Sequence, residues 1–174
     1  MVAWGRIAEY YGEQGHFESA LACVRGIADP LRQAGLLETL GWRRIAAGDV
    51  EEGRAHFAQA LEIADLVARG GGASARGVGR VEHAWLLLAS RLQAALGDCE
   101  SAGLNVSRFD DPLRHQEGWT GVGWAGARAG HLQGIEDVLE RAEAPLDRIW
   151  LLLGAADGVL SRATSRKGGA GAPA

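Results

Sequence analysis

Lysine occurs once in this chain of 174 residues, at Lys167, and asparagine once, at Asn105; there are three phenylalanines and two tyrosines. So little aromatic and β-branched material argues against a sandwich or barrel, whose pleated surfaces are built from those side chains. Ile, Leu, Val and Phe together supply 40 of the 174 residues, just enough to leave the compositional range of disorder, so a fold must pack small side chains closely. With 18 basic against 22 acidic residues, nothing in the net charge of −4 draws the chain to a phosphate backbone or an anionic membrane. The two cysteines, Cys23 and Cys99, lack a C-x-x-C spacing and read as small buried hydrophobes in a reducing compartment. The N-terminus has no basic region and apolar run of a signal peptide, and the longest apolar stretches, Ala84 to Ala89 and Ile149 to Ala156, fall far short of a membrane span. The expectation is a soluble, cytoplasmic protein of one domain.

Alanine (31), glycine (26) and leucine (21) are what the chain has in quantity, a composition suited to helices that approach one another tightly. It also repeats itself. Displaced by 82 residues, Gly15 to Gly48 lie over Gly97 to Gly130 with 13 of 34 pairs identical, among them Asp29/Asp111, Pro30/Pro112, Gly41/Gly123 and Trp42/Trp124. A shorter period lies within this one, because Gly15 and Gly48, Gly97 and Gly130, and Pro112 and Pro145 are each 33 apart. Such periods signal stacked supersecondary elements.

Local patterns give each repeat two helices. Trp4, Ile7, Ala8 and Tyr11 recur at helical spacing, Gly15 breaks the run, and Phe17, Ala20, Leu21, Val24 and Ile27 form a second stripe. Asp29-Pro30 and Asp111-Pro112 read as N-caps followed by proline in the first helical position, where its missing N–H costs nothing. Glycine at the turns supplies the left-handed residue that ends a helix. Gly41, Gly53 and Gly123 lie inside helices, at about 1 kcal/mol each against alanine, and close approach of helix axes is the compensation expected for the matched Gly41/Gly123 pair.

The first repeat resembles a tetratricopeptide repeat: Trp4, Ile7, Ala8 and Tyr11 hold that family's first-helix places, Gly15 its turn, and Phe17, Ala20, Val24 and Ile27 its second-helix places. Leu37, Leu40, Gly41, Gly48, Gly53, Phe57 and Ala60 fit the second repeat, Trp119, Val122, Gly123, Gly130, Ile135 and Ala142 the fourth, and the third is degenerate. Arg44, Gln93 and Gly126 depart from the pattern where Tyr11 keeps an aromatic. The resemblance implies an all-α, right-handed superhelical solenoid of antiparallel helix hairpins over 1–162, with repeats at about 1–29, 30–68, 80–110 and 111–144 and a capping helix at 145–162. The Gly-rich stretch 69–79 is expected to be a flexible insertion, either looping out of one solenoid or hinging two pairs of repeats, and 163–174 a disordered tail.

Enzyme signatures are weak. Gly121 to Gly126 matches G-x-G-x-x-G by letter, but a helix, not a strand, precedes it. His16, His56, His83, His115 and His131 form no zinc-binding spacing, and the serines have no neighbouring base. The expectation is therefore no catalytic residue, no metal and no cofactor. What remains is binding. By resemblance, groove-facing places fall on Gly5, Arg6, Glu9, Gly12 and Glu13, then Glu38, Thr39, Trp42, Ile45 and Ala46. In the later repeats they fall on Leu87, Leu88, Arg91, Ala94 and Ala95, then Thr120, Gly121, Trp124, Ala127 and Arg128. The Lys and Asn array with which family members clamp a peptide carboxylate is absent. Trp42 and Trp124 either line an apolar groove with isolated arginines or fill space beside Gly41 and Gly123. In the last helix, Trp150 and Leu153 are expected to face inward, leaving Ile149 and Leu152 for a partner or a second copy. The candidate partner-binding residues are thus Arg6, Glu9, Glu38, Trp42, Arg91, Trp124, Arg128, Ile149 and Leu152. They suit a non-catalytic protein- or peptide-binding scaffold, capable of homo-oligomerisation, with no membrane partner and nucleic acid disfavoured. The alternative is a helical-repeat binder of a small ligand or nucleic acid, or a helical enzyme with an unrecognised site.

Overall fold

The computed structural model describes residues 3–70 and 78–169. Among these the chain is all-helical: α1 (Ala3–Glu13), α2 (Phe17–Arg25), α3 (Pro30–Ala46), α4 (Val50–Gly70), α5 (Val78–Leu96), α6 (Cys99–Val106), α7 (Pro112–Ala129), α8 (Leu132–Arg141) and α9 (Pro145–Gly169). The helices pack as hairpins, α1 with α2, α3 with α4, α5 with α6 and α7 with α8, in two compact units, Met1–Ser74 and Ala75–Ala174. The boundary falls inside the Gly-rich stretch. Residues 71–77 of that stretch and 170–174 of the tail lie outside the described residues. The flanks of the Gly-rich stretch are helical, since α4 runs on to Gly70 and α5 begins at Val78. Likewise α9 extends to Gly169, past the expected end at Arg162 and into the segment read as a disordered tail. Adding one residue to an existing helix costs far less than nucleating a new one, and Ala, Arg and Lys in 163–167 favour it.

Local chemistry sets the helix ends. Asp29 Oδ1 accepts from the Leu31 N–H at 3.1 Å and Asp111 Oδ1 from the Arg114 N–H at 2.9 Å, each followed by proline as the first helical residue. Gly15, Gly48, Gly97 and Gly130 all adopt positive φ, from 76° to 102°, closing the four hairpins. His16 and His131 precede α2 and α8 without a capping bond from their rings. Instead, His131 Nε2 donates to the Ala95 carbonyl at 3.2 Å, fastening the α7–α8 turn to the end of α5.

In the first unit the core is Ala8, Ala20, Val24, Ala34, Leu37, Leu40, Phe57 and Ala60. The face of α1 that meets α3 is its small-residue face: Gly5 sits beside Arg32 and Gly12 beside Leu40. That turns Trp4 and Ile7 outward, to 51% and 39% exposure, although their spacing predicts an inward stripe. Gly41 and Gly53 bring α3 and α4 together, a Cβ on Gly41 falling 2.9 Å from the Gly53 carbonyl oxygen and one on Gly53 falling 2.7 Å from that of Gly41. Arg44, 33 residues after Tyr11 and in the matching place of its hairpin, lies 4.4 Å over the Phe17 ring and pairs with Asp49 at 2.7 Å and Glu18 at 3.1 Å. The cation thereby lies on the Phe17 ring and ties α3 to α2.

The second unit is organised by α7, which packs on α5 and on α9. Leu92, Ala94, Ala102, Val106, Val122, Ala125 and Leu151 form its core. Gly123 lies against the backbone of α9, where any Cβ would collide with the Leu151 carbonyl oxygen; Gly154 and Gly158 lie in the same way against the Thr120 and Trp124 carbonyls. Gly123→Leu therefore meets backbone that no side-chain rotation can clear, and should cost at least the upper end of ordinary overpacking, about 3 kcal/mol. Gly35, inside α3 with open space for 4 Å around the point where a Cβ would sit, provides the contrast: Gly35→Ala should gain about 0.5–1 kcal/mol from helix propensity alone. Urea denaturation midpoints should move in opposite directions for the two variants, and an unchanged midpoint for Gly123→Leu would refute the close contact.

Candidate interaction groove

On the second unit an open groove of about 460 Å³ is lined by Arg91 of α5, Asp157 of α9 and one face of α7 formed by Leu113, Gln116, Glu117, Thr120, Gly121 and Trp124. Steps of three and four residues put these α7 positions on one side of the helix. Gly121 has a local purpose here: a Cβ would come within 3.1 Å of Arg91 Cγ, so its absence lets the arginine stem lie flat against α7. Arg128, one turn beyond Trp124, holds its guanidinium 4.8 Å from the centre of the indole ring. Glu117 is paired with Arg114 at 2.8 Å. The groove thus combines an aromatic surface, one arginine and two carboxylates, Glu117 and Asp157, with Arg128 beside it over the indole, an arrangement that can hold an extended chain by stacking and charge-assisted hydrogen bonds.

Of the residues selected from the sequence, Arg91 and Trp124 line this groove and Arg128 lies over Trp124. Arg6 and Glu9 are exposed on α1, and Glu38 is half-buried on α3, all in the first unit. Trp42, a candidate contact residue, is instead core, the other of the two places open to it: it is 6% exposed, with its ring 4.7 Å from that of Phe57. The Gly41 it neighbours leaves the space that the Phe57 ring fills. Other expected groove places are buried too, namely Gly5 and Gly12 on α1, Leu87, Leu88, Ala94 and Ala95 on α5, and Ala127 on α7. Ile149 and Leu152 are exposed on α9, away from the groove-lining face of α7. Leu153, expected to face inward, is exposed, and Leu151 is buried in its place. Gly154 and Gly158 bind α9 to α7 through the face that carries Leu151, and Leu153 is half a turn away from it. Asp157 escaped the sequence reading, which had no sign that α9 would come near enough to α7 to bring this carboxylate to the rim.

Cys99 and His56 depart from their ordinary behaviour. Burial pushes the Cys99 thiol up to about 11, with Asp98 and Asp137 adding to it, so at neutral pH it is a protonated, packed thiol. Burial, reinforced by the Arg44 charge, holds His56 below its usual value of 6.5, and its Nε2 finds no hydrogen-bond partner among the described residues. Among the described residues, too, no group of three or more His, Cys, Asp or Glu side chains is placed to hold a metal ion, and no helix is long and apolar enough to cross a membrane.

Comparison with protein-family models, curated proteins and solved structures gives no match.

His56 gives a pH dependence of known sign. Its folded form takes a proton less readily than its unfolded form, so its contribution to stability is complete above about pH 6.5 and is lost as pH falls through that value towards the lower folded one. The urea midpoint should drop between pH 7.5 and pH 5.5, and His56→Gln should reduce that drop.

Proposed function

We propose that this chain is a non-catalytic protein-interaction module whose second unit binds a segment of a partner protein in the groove between Arg91, Trp124 and Asp157. The observation that carries this reading is the joining of Trp124 with Arg91 and Arg128 on one open face. Wide aromatics with few rotatable bonds and arginines with planar forks are the side chains that dominate binding energies at protein interfaces. An extended segment bearing a large apolar residue fits: the apolar group against the indole, the segment's backbone amides and carbonyls beside the carboxylates and arginine of the lining. We further infer that the hairpins are divergent tetratricopeptide-like repeats stacked with right-handed superhelical twist within each unit. Support comes from the 33-residue period, the four left-handed glycine turns and the Gly41–Gly53 contact inside one hairpin. The α7–α9 contact at Gly123 is this chain's own departure from that pattern, since the matched Gly41 meets its hairpin partner instead.

Selection from a random peptide library on the intact chain tests the reading. Enriched peptides should share a large apolar residue, and Trp124→Ala and Arg91→Glu should each weaken them at least tenfold, about 1.4 kcal/mol. Peptides that bind both variants as tightly as the parent chain, or no enrichment at all, would remove the groove from the proposal.

A further inference from the structure

The outward side of α9 carries an apolar strip along five turns, bordered on one flank by the exposed carboxylate of Asp157. Leu146, Ile149, Leu152, Leu153, Val159 and Leu160 are each between 45% and 65% exposed, and Ala156 and Ala163 are exposed with them. The opposite side, with Leu151, Gly154 and Gly158, is the one sealed against α7. Residues 146, 149, 153, 156, 160 and 163 follow one another in alternating steps of three and four, the spacing of a coiled-coil seam. Leu152 and Val159 precede seam positions 153 and 160 and widen the strip along one flank.

We infer that this face is the contact with a second copy of the same chain, the two α9 helices lying antiparallel about a two-fold axis between positions 153 and 156. The order of large and small residues selects the occupant and its direction. In an antiparallel pair Leu146 lies opposite Ala163, Ile149 opposite Leu160, and Leu153 opposite Ala156, and the two-fold axis repeats each layer. Every alanine is then filled by a leucine from the other copy. A parallel pair in register sets Ala156 against Ala156 and Ala163 against Ala163, leaving two of six layers without large side chains. Leu152 of one copy falls close to Val159 of the other, extending the apolar contact along the same flank. The antiparallel arrangement also opposes the two helix dipoles. Self-complementarity of this kind is what a two-fold interface requires, because the same patch must fit itself.

The area agrees. Six large side chains, each about half open, present on the order of 500 Å² of apolar surface, the upper range for the largest patch on an ordinary monomer. Pairing two copies removes about 1,000 Å², the threshold for a specific interface, before flanking polar groups are counted. Asp157, on the rim of the groove, borders this face between Leu153 and Leu160, so the two surfaces are neighbours on α9; association is measured on the chain alone with no peptide present, so the two readings fail separately.

Sedimentation equilibrium of the intact chain should show a monomer–dimer system at micromolar concentration, built on the 18.3 kDa chain. Leu153→Glu and, independently, Leu160→Glu should each raise the dimer dissociation constant at least a hundredfold with helicity by circular dichroism unchanged. Leu104→Glu, at an exposed leucine on α6, should leave it unaltered. Direction is read by mild oxidation: an equal mixture of Ile149→Cys and Leu160→Cys chains should form a mixed disulfide dimer, and neither variant alone should. A strict monomer at 200 μM, a dimer indifferent to both glutamates, or disulfides within each single-variant sample would overturn the proposal. So would association only with a different protein.

Discussion

Three missing β-carbons, at Gly123, Gly154 and Gly158, let the backbones of α7 and α9 touch, and much of the second unit follows from that contact. With the helices this close, α9 has one fixed rotation about its own axis. Leu151 is driven into the core, Asp157 is brought to the rim of the groove, and the seam from Leu146 to Ala163 is turned away from the unit. A helix held by side chains alone could roll to bury some of its leucines. Held by backbone contact, it cannot, because any roll would bring a Cβ where only glycine fits. At its first turn α9 is fixed to α7 by a polar contact as well, where Asp147 Oδ1 lies 2.9 Å from His115 Nε2.

The first unit solves the same packing problem differently. Its closest approach is within a hairpin, Gly41 against Gly53, and the space beside Gly41 is taken by the Phe57 ring, which in turn covers Trp42. At the place that Tyr11 holds in the first hairpin, Arg44 supplies contact with Phe17, and two carboxylates pair with it. The nearby His56 is kept neutral by burial and by that same cation, so ion cluster and core are coupled through one arginine. Small residues dominate both interiors, and cohesion there comes from many close contacts rather than from a few large buried side chains.

Much of this was legible in the residues alone. The Asp-Pro dipeptides and the four glycines at intervals of 33 act through bonds and torsions within a few residues, so they specify helix ends wherever they occur: a capping carboxylate reaches the N–H two or three residues on, and a positive φ needs no neighbour but its own backbone. Periodicity likewise reveals that a helix has an apolar side. Tertiary structure decided which neighbour each side meets. Gly41 and Gly123 are matched letters in an 82-residue repeat, yet one faces α4 and the other α9. Trp42 and Trp124 are matched in the same way, and one is core while the other lines a groove. Leu151, Leu152 and Leu153 are chemically identical, and only the glycine contacts of α9 determine which is buried. Local sequence acts over a few residues of chain, whereas burial depends on the chain segment that arrives from elsewhere. Hairpins and turns were therefore fixed by the residues themselves, and groove, core tryptophan and outward seam by the packing of whole helices.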